Sequence, residues 1–174
     1  GELKIGTGTA TAIGKGGSIS VTVGDAAVAV GGVVTLSAGQ GKTAGGALTI
    51  ASGKGETAVG GAFSVTAGQG QTDGGGITAV GGKSAAGTKN GGFVTVAGGV
   101  SAAGTGGHIS LTSGKGTAKS SGLIKITTDN AGTAGVSGHL TFSSGTSNSG
   151  SSGELKIGTG KATAIGKGGS ISVT

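Results

Sequence analysis

Cysteine, proline, methionine, tryptophan and tyrosine are absent from this 174-residue chain, and so is arginine. Without cysteine there is no disulfide scaffold and no thiolate metal site. Without proline, and with glycine at no fixed third position, collagen is excluded. Only three aromatic residues occur, all phenylalanine, which leaves little to stack on nucleic-acid bases. No apolar run reaches the 18 residues that a membrane-spanning helix needs. Charge is sparse: 12 lysines against six acids give +6, and the lysines are scattered rather than clustered. Nucleic-acid binders show basic blocks or aromatic platforms, so this charge reads as solvated turns that also discourage edge-to-edge aggregation. Neither nucleic acid nor membrane is expected as a partner.

What is abundant is glycine, at 46 positions. A glycine-rich chain without a period reads as disordered. Yet 33% of the residues are apolar and 10% charged, and the mean hydropathy is +0.22, unlike the polar, charged composition of disordered chains. A period resolves the tension. The pattern G-x-φ-x-φ-x-x-G, with φ apolar, starts at Gly1, Gly17, Gly32, Gly46, Gly61, Gly75, Gly92, Gly107, Gly122, Gly138 and Gly153. A twelfth copy starts at Gly169 and is cut by the end of the sequence. Starts lie 14 to 17 residues apart. The first glycine is present in all twelve copies, and the second in all complete copies but one, where Asp129 stands. Both glycines read as turn residues with positive φ, and aspartate tolerates that conformation better than most residues.

A longer repeat contains the short one. GELKIGTGTATAIGKGGSISVT at 1–22 returns at 153–174 with one change, Thr9 to Lys161. The superperiod is 152 residues, or ten short repeats, and the chain is expected to be an interior piece of a longer tandem array.

The alternating stretch in each repeat reads as a strand, and glycine at this density disfavours helix. The expected fold is therefore all-β: a thin, flat β-solenoid, or parallel β-helix, of about 12 coils of 14–17 residues. It would run continuously over 1–174, with the ten-coil superperiod at 1–152 and a new period from 153. Successive coils would stack as parallel strands. One inward column would run from Leu3 and Ile19 to Leu155 and Ile171, and the other from Ile5 and Val21 to Ile157 and Val173. Burying two aliphatic side chains stabilises a coil by roughly 3–6 kcal/mol. Ordering its residues costs roughly 15 kcal/mol, so stacking between coils has to supply the rest.

Outward positions form a candidate surface ladder of Ser20, Thr22, Thr35, Ser37, Thr49, Ser64, Thr66, Thr78, Thr95, Ser110, Thr112, Thr127, Thr141 and Ser143. Threonine suits a solvated strand face, which is the leading reading; a glycan-bearing or lateral packing face comes second, and ice or carbohydrate binding is the alternative. Lys125, Ala51, Ala97 and Val80 interrupt it. Val33, Phe93 and Leu123 stand in a third outward column and form a candidate lateral contact with another copy. No N-x-S/T acceptor exists, so any glycan would be O-linked.

Chemistry is sparse. AGQGKTAGG at 38–46 misses the phosphate-loop pattern, because Leu36 stands where the leading glycine belongs. Three aspartates are too few for a calcium-binding repeat solenoid. His108 and His139 fall two coils apart, too far to share a metal. No catalytic set, cofactor or metal is expected.

The runs GGSISVT, GGVVTLSAGQG, GGALTIASGKG and GGHISLTSGKG resemble the Gly/Ser/Thr-rich β-solenoid repeats of extracellular fibres and adhesins. They are most similar to arrays in diatom and algal surface proteins, some of the mastigoneme type. That resemblance implies a structural, extracellular, self-assembling filament subunit without catalysis. A ligand-binding solenoid, for ice or carbohydrate, is the alternative.

Overall fold

A computed structural model describes all residues of 1–174 except 12, 13, 86 and 88. Among the described residues there is no strand and no helix. The expected β-solenoid is therefore not the fold of this chain, and the β-helix reading is corrected to irregular coil with regularly repeated loops.

The physical reason lies in the backbone. A sheet needs a ladder of hydrogen bonds between neighbouring strands. Here the main chain makes at most one such bond at a repeat junction, and that bond closes a loop instead of joining two strands. The N–H of a repeat's first glycine donates to the carbonyl of the preceding repeat's second glycine. The pairs are Gly17 to Gly8, Gly32 to Gly24, Gly46 to Gly39, Gly61 to Gly53, Gly75 to Gly68, Gly92 to Gly82, Gly107 to Gly99 and Gly122 to Gly114, at 2.8–3.2 Å. Glycine loses more backbone freedom on ordering than any other residue. Two aliphatic side chains per repeat do not offset that loss within one chain.

The chain divides into two parts, Gly1–Val80 and Gly81–Thr174. In the first part, five junctions carry the glycine clip. Between clips the chain bends once per loop, at 27–29, 42–44, 56–58 and 71–73. The second part carries three clips and bends at 102–104, 117–119, 133–135, 148–150 and 163–166. Its last three loops close without the backbone bond, and each of their bends holds a glycine with positive φ: Gly135, Gly150 and Gly166.

No residue among those described is buried. The accessible surface is 17164 Å², against about 7,300 Å² for a compact protein of this mass and about 22,600 Å² for an unfolded one. The columns expected to face inward lie open. Position 3 of the repeat runs from Ile124 at 48% to Ile77 at 63% exposed, with Leu3 higher still. Apolar residues in the loops are more open, as at Val28 and Val100.

Candidate functional site

The site offered by this chain is a repeated surface, and its geometry starts at the junctions. From the first glycine of a repeat to position 8, the separation is seven residues in every complete copy. All of the variation in spacing falls in the loops, from seven residues (Gly39 to Gly46) to ten (Gly82 to Gly92). The clip distance stays within 2.8–3.2 Å across this range of loop lengths. Closing the loop at its base therefore separates the repeat's geometry from the length of the loop.

Sterics explain which glycine is indispensable. A Cβ on the first glycine of a repeat after the first would face the end of the preceding repeat, and at Gly17, Gly32, Gly92 and Gly107 it would come within 3.0 Å of it. It would meet Thr7 Cβ at 2.6 Å from Gly17, Val23 Cβ at 3.0 Å from Gly32 and Gly99 N at 2.8 Å from Gly107. Contacts are milder, at 3.2–3.6 Å, at Gly46, Gly61, Gly75 and Gly122, which keep the backbone bond, and at Gly138, Gly153 and Gly169, which lack it. The second glycines are different: a Cβ added to Gly8, Gly24, Gly39, Gly53 or their successors would meet nothing within 4 Å. Asp129 occupies that open position. Its place is explained by space, because no non-glycine residue among those described has positive φ. The expectation that both flanking glycines adopt positive φ is corrected accordingly.

Partial burial marks the same junctions. The few half-buried residues include Ala67, Gly81 and Ser113 at position 7, and Gly55 and Gly116 within loops. At Gly41, Gly55, Gly70 and Gly116 the loop backbone turns a carbonyl onto the glycine Cα, leaving no room for a side chain. The G-x-G of the loops is thus a close-approach device. At 38–46, where the sequence superficially resembles a phosphate loop, it serves to fold the loop onto Gly46. At the first junction the Thr7 hydroxyl adds a second tie by donating to the Gly17 carbonyl at 3.0 Å.

The apolar pairs at positions 3 and 5 lie two residues apart, on one side wherever the chain is extended. The Ser/Thr ladder residues, Ser20 through Ser143, are all exposed. The structure joins none of them in a sheet. Val33, Phe93 and Leu123 are among the most open apolar side chains, at 79%, 88% and 84%. Glu2 with Lys4 and Glu154 with Lys156 form ion pairs of 3.4 and 3.3 Å at equivalent places in the duplicated segment. Both are open to solvent and contribute little. Nine of the 12 lysines stand in the loops.

No pocket is present among the described residues, and no group of three or more His, Cys, Asp or Glu residues that could hold a metal occurs among them. No described helix is long and apolar enough to cross a membrane. What sequence reasoning missed is the unequal role of the two glycines. The one signal available was Asp129 at the second position, against glycine at every first position. No family model, no curated protein and no solved structure matches the chain.

Proposed function

We propose that this chain is a structural repeat protein that assembles with copies of itself, its paired apolar rows being the assembling surface. One observation carries the reading: 24 apolar positions recur as pairs two residues apart, one pair per repeat, yet none is buried within the chain. The surface exceeds that of a compact protein of this mass by roughly 10,000 Å². That is ample for obligate interfaces, which bury about 2,000–5,000 Å². Interfaces of that class are built from apolar surface resembling a divided core, and two copies carry the same pairs in the same order, so one copy's rows can meet another's. A filament subunit of a surface fibre fits this behaviour, and the extracellular setting rests on the resemblance of the repeats alone.

Sedimentation velocity over a concentration series, followed by electron microscopy of the heaviest species, tests the reading. Concentration-dependent growth into elongated particles is expected. A chain that stays monomeric at all concentrations, at physiological salt, would refute it.

A further inference from the structure

The chain contains three asparagines, Asn90, Asn130 and Asn148, and their neighbours differ. Asn90 precedes Gly91, Asn130 precedes Ala131 and Asn148 precedes Ser149. We propose that Asn90–Gly91 is a self-modifying site, converting without an enzyme to aspartate and isoaspartate in the longest clipped loop.

The reaction requires the backbone nitrogen of the following residue to reach the asparagine side-chain carbon. Both Asn90 and Gly91 are exposed. A Cβ at Gly91 would meet Gly82 O at 3.6 Å, an ordinary contact among the described residues. Glycine there also gives the backbone the widest choice of angles for closing the ring. Among the described residues the Gly91 N–H donates to no acceptor; the nearest backbone bond is one residue on, from Gly92 N to Gly82 O at 2.8 Å. Lys89 adjoins the site, and a neighbouring cation favours the anionic amide nitrogen. Asn130 differs in two respects: its own N–H is tied to Asp129 Oδ1 at 2.8 Å, and a methyl side chain follows it.

The chemistry balances with water alone. Hydroxide removes the proton from Gly91 N, which attacks Asn90 Cγ and forms the new C–N bond. The Cγ–Nδ2 bond breaks, and ammonia leaves after taking a proton from water. Water then opens the cyclic imide at either carbonyl. One opening gives aspartate, and the other gives isoaspartate, with the chain rerouted through the side-chain carbon. Overall, an amide and water become a carboxylate and ammonium. The conversion removes one unit from the chain's net charge of +6, and isoaspartate inserts a methylene beside the donor of the Gly92–Gly82 clip.

Incubating the full-length protein at neutral and mildly alkaline pH, with peptide mapping by mass spectrometry and enzymatic methylation of isoaspartate, tests this. Asn90 should convert before Asn148 and Asn130, faster in proportion to hydroxide, with isoaspartate among the products. Gly91→Ala should slow it by about tenfold, equivalent to about 1.4 kcal/mol of crowding and lost freedom at the nitrogen. The native rate should match that in urea, because Asn90 and Gly91 are both exposed. Conversion of Asn148 or Asn130 first, an unchanged rate in Gly91→Ala, or a native rate many-fold below the urea rate would each overturn the proposal.

Discussion

One hydrogen bond has a glycine at each end, and alanine should act oppositely at the two ends. Gly107 N–H donates to Gly99 O at 2.8 Å. A Cβ on residue 107 would lie 2.8 Å from Gly99 N and 3.6 Å from Gly98 C. Both are backbone atoms and cannot swing aside, so Gly107→Ala must separate the two chain segments. The lost bond is exposed, and a net contribution of about 1 kcal/mol is appropriate. That shifts the closed-to-open ratio of the loop by about fivefold. Gly99→Ala meets nothing within 4 Å, and Gly99 is not a positive-φ glycine. Alanine there narrows the open ensemble and should favour closure by about 0.4–1 kcal/mol. The readout is the residue-107 amide proton, through its temperature coefficient and its exchange with water. Gly107→Ala should give faster exchange than the parent chain, and Gly99→Ala slower. Equal effects of the same sign would refute the steric assignment of the two glycines.

Further outcomes follow from the same geometry. Inserting two glycines into the loop between Gly99 and Gly107 should leave assembly unchanged, since lengthening a loop of this size costs well under about 1 kcal/mol. The same insertion between Ile109 and Leu111 should abolish assembly, and sedimentation velocity separates the two cases. Ile109→Asp combined with Leu111→Asp should raise the concentration needed for assembly by at least about tenfold, since about 1.4 kcal/mol per interface is a modest estimate for replacing two apolar contacts by charges. Circular dichroism of the unassembled chain should not change, because both side chains are already exposed there. Raising ionic strength from about 0.01 M to 0.15 M shortens the screening length from about 30 Å to 8 Å, and assembly of a +6 chain should accelerate, as followed by light scattering. Lys4→Ala should change the behaviour of the unassembled chain by no more than about 0.5 kcal/mol, because the Glu2–Lys4 pair is open to solvent.

Much of the local plan was legible in the sequence. The seven-residue spacing from Gly1 to Gly8, and again from Gly107 to Gly114, is a property of the letters, as is the drift of the loops between them. The absence of a sheet was not legible, for a quantitative reason. Alternation such as Leu48–Thr49–Ile50 says which side chains share a side. It does not say that enough surface exists to hold neighbouring repeats together. With glycine at 46 of 174 positions, the ordering cost per repeat stays high while the apolar side chains remain few. The candidate surface was read with similar limits. Val33, Phe93 and Leu123 lie exposed, but so do Ile109 and Leu111, which were expected inside, so exposure does not single out a contact surface. The clip between Gly17 and Gly8 left no signature beyond glycine itself, which also occurs at turns for other reasons.

The rows pose a problem that a single chain does not answer. Within the chain, positions 3 and 5 gain little from being apolar, since Ile109 is 49% exposed and Leu111 73%. Serine or threonine there would be better hydrated, and these residues are plentiful at position 4. Yet all 24 positions of the two rows are apolar, including the small Ala79. The spacing shows the same selectivity. Loops vary from seven to ten residues while the segment bearing the rows does not vary at all. The backbone bond from a repeat's first glycine closes each clipped loop at its base whatever its length. A constraint that fixes the rows and frees the loops acts on how the rows meet something outside the chain. Apolar surface at regular intervals is best matched by the same surface on another copy, because shared spacing keeps every repeat in step. On the proposed reading, the exposed apolar rows and the clipped loops share one physical explanation: burial of the rows between copies requires the row-bearing segment to stay constant and leaves loop length free.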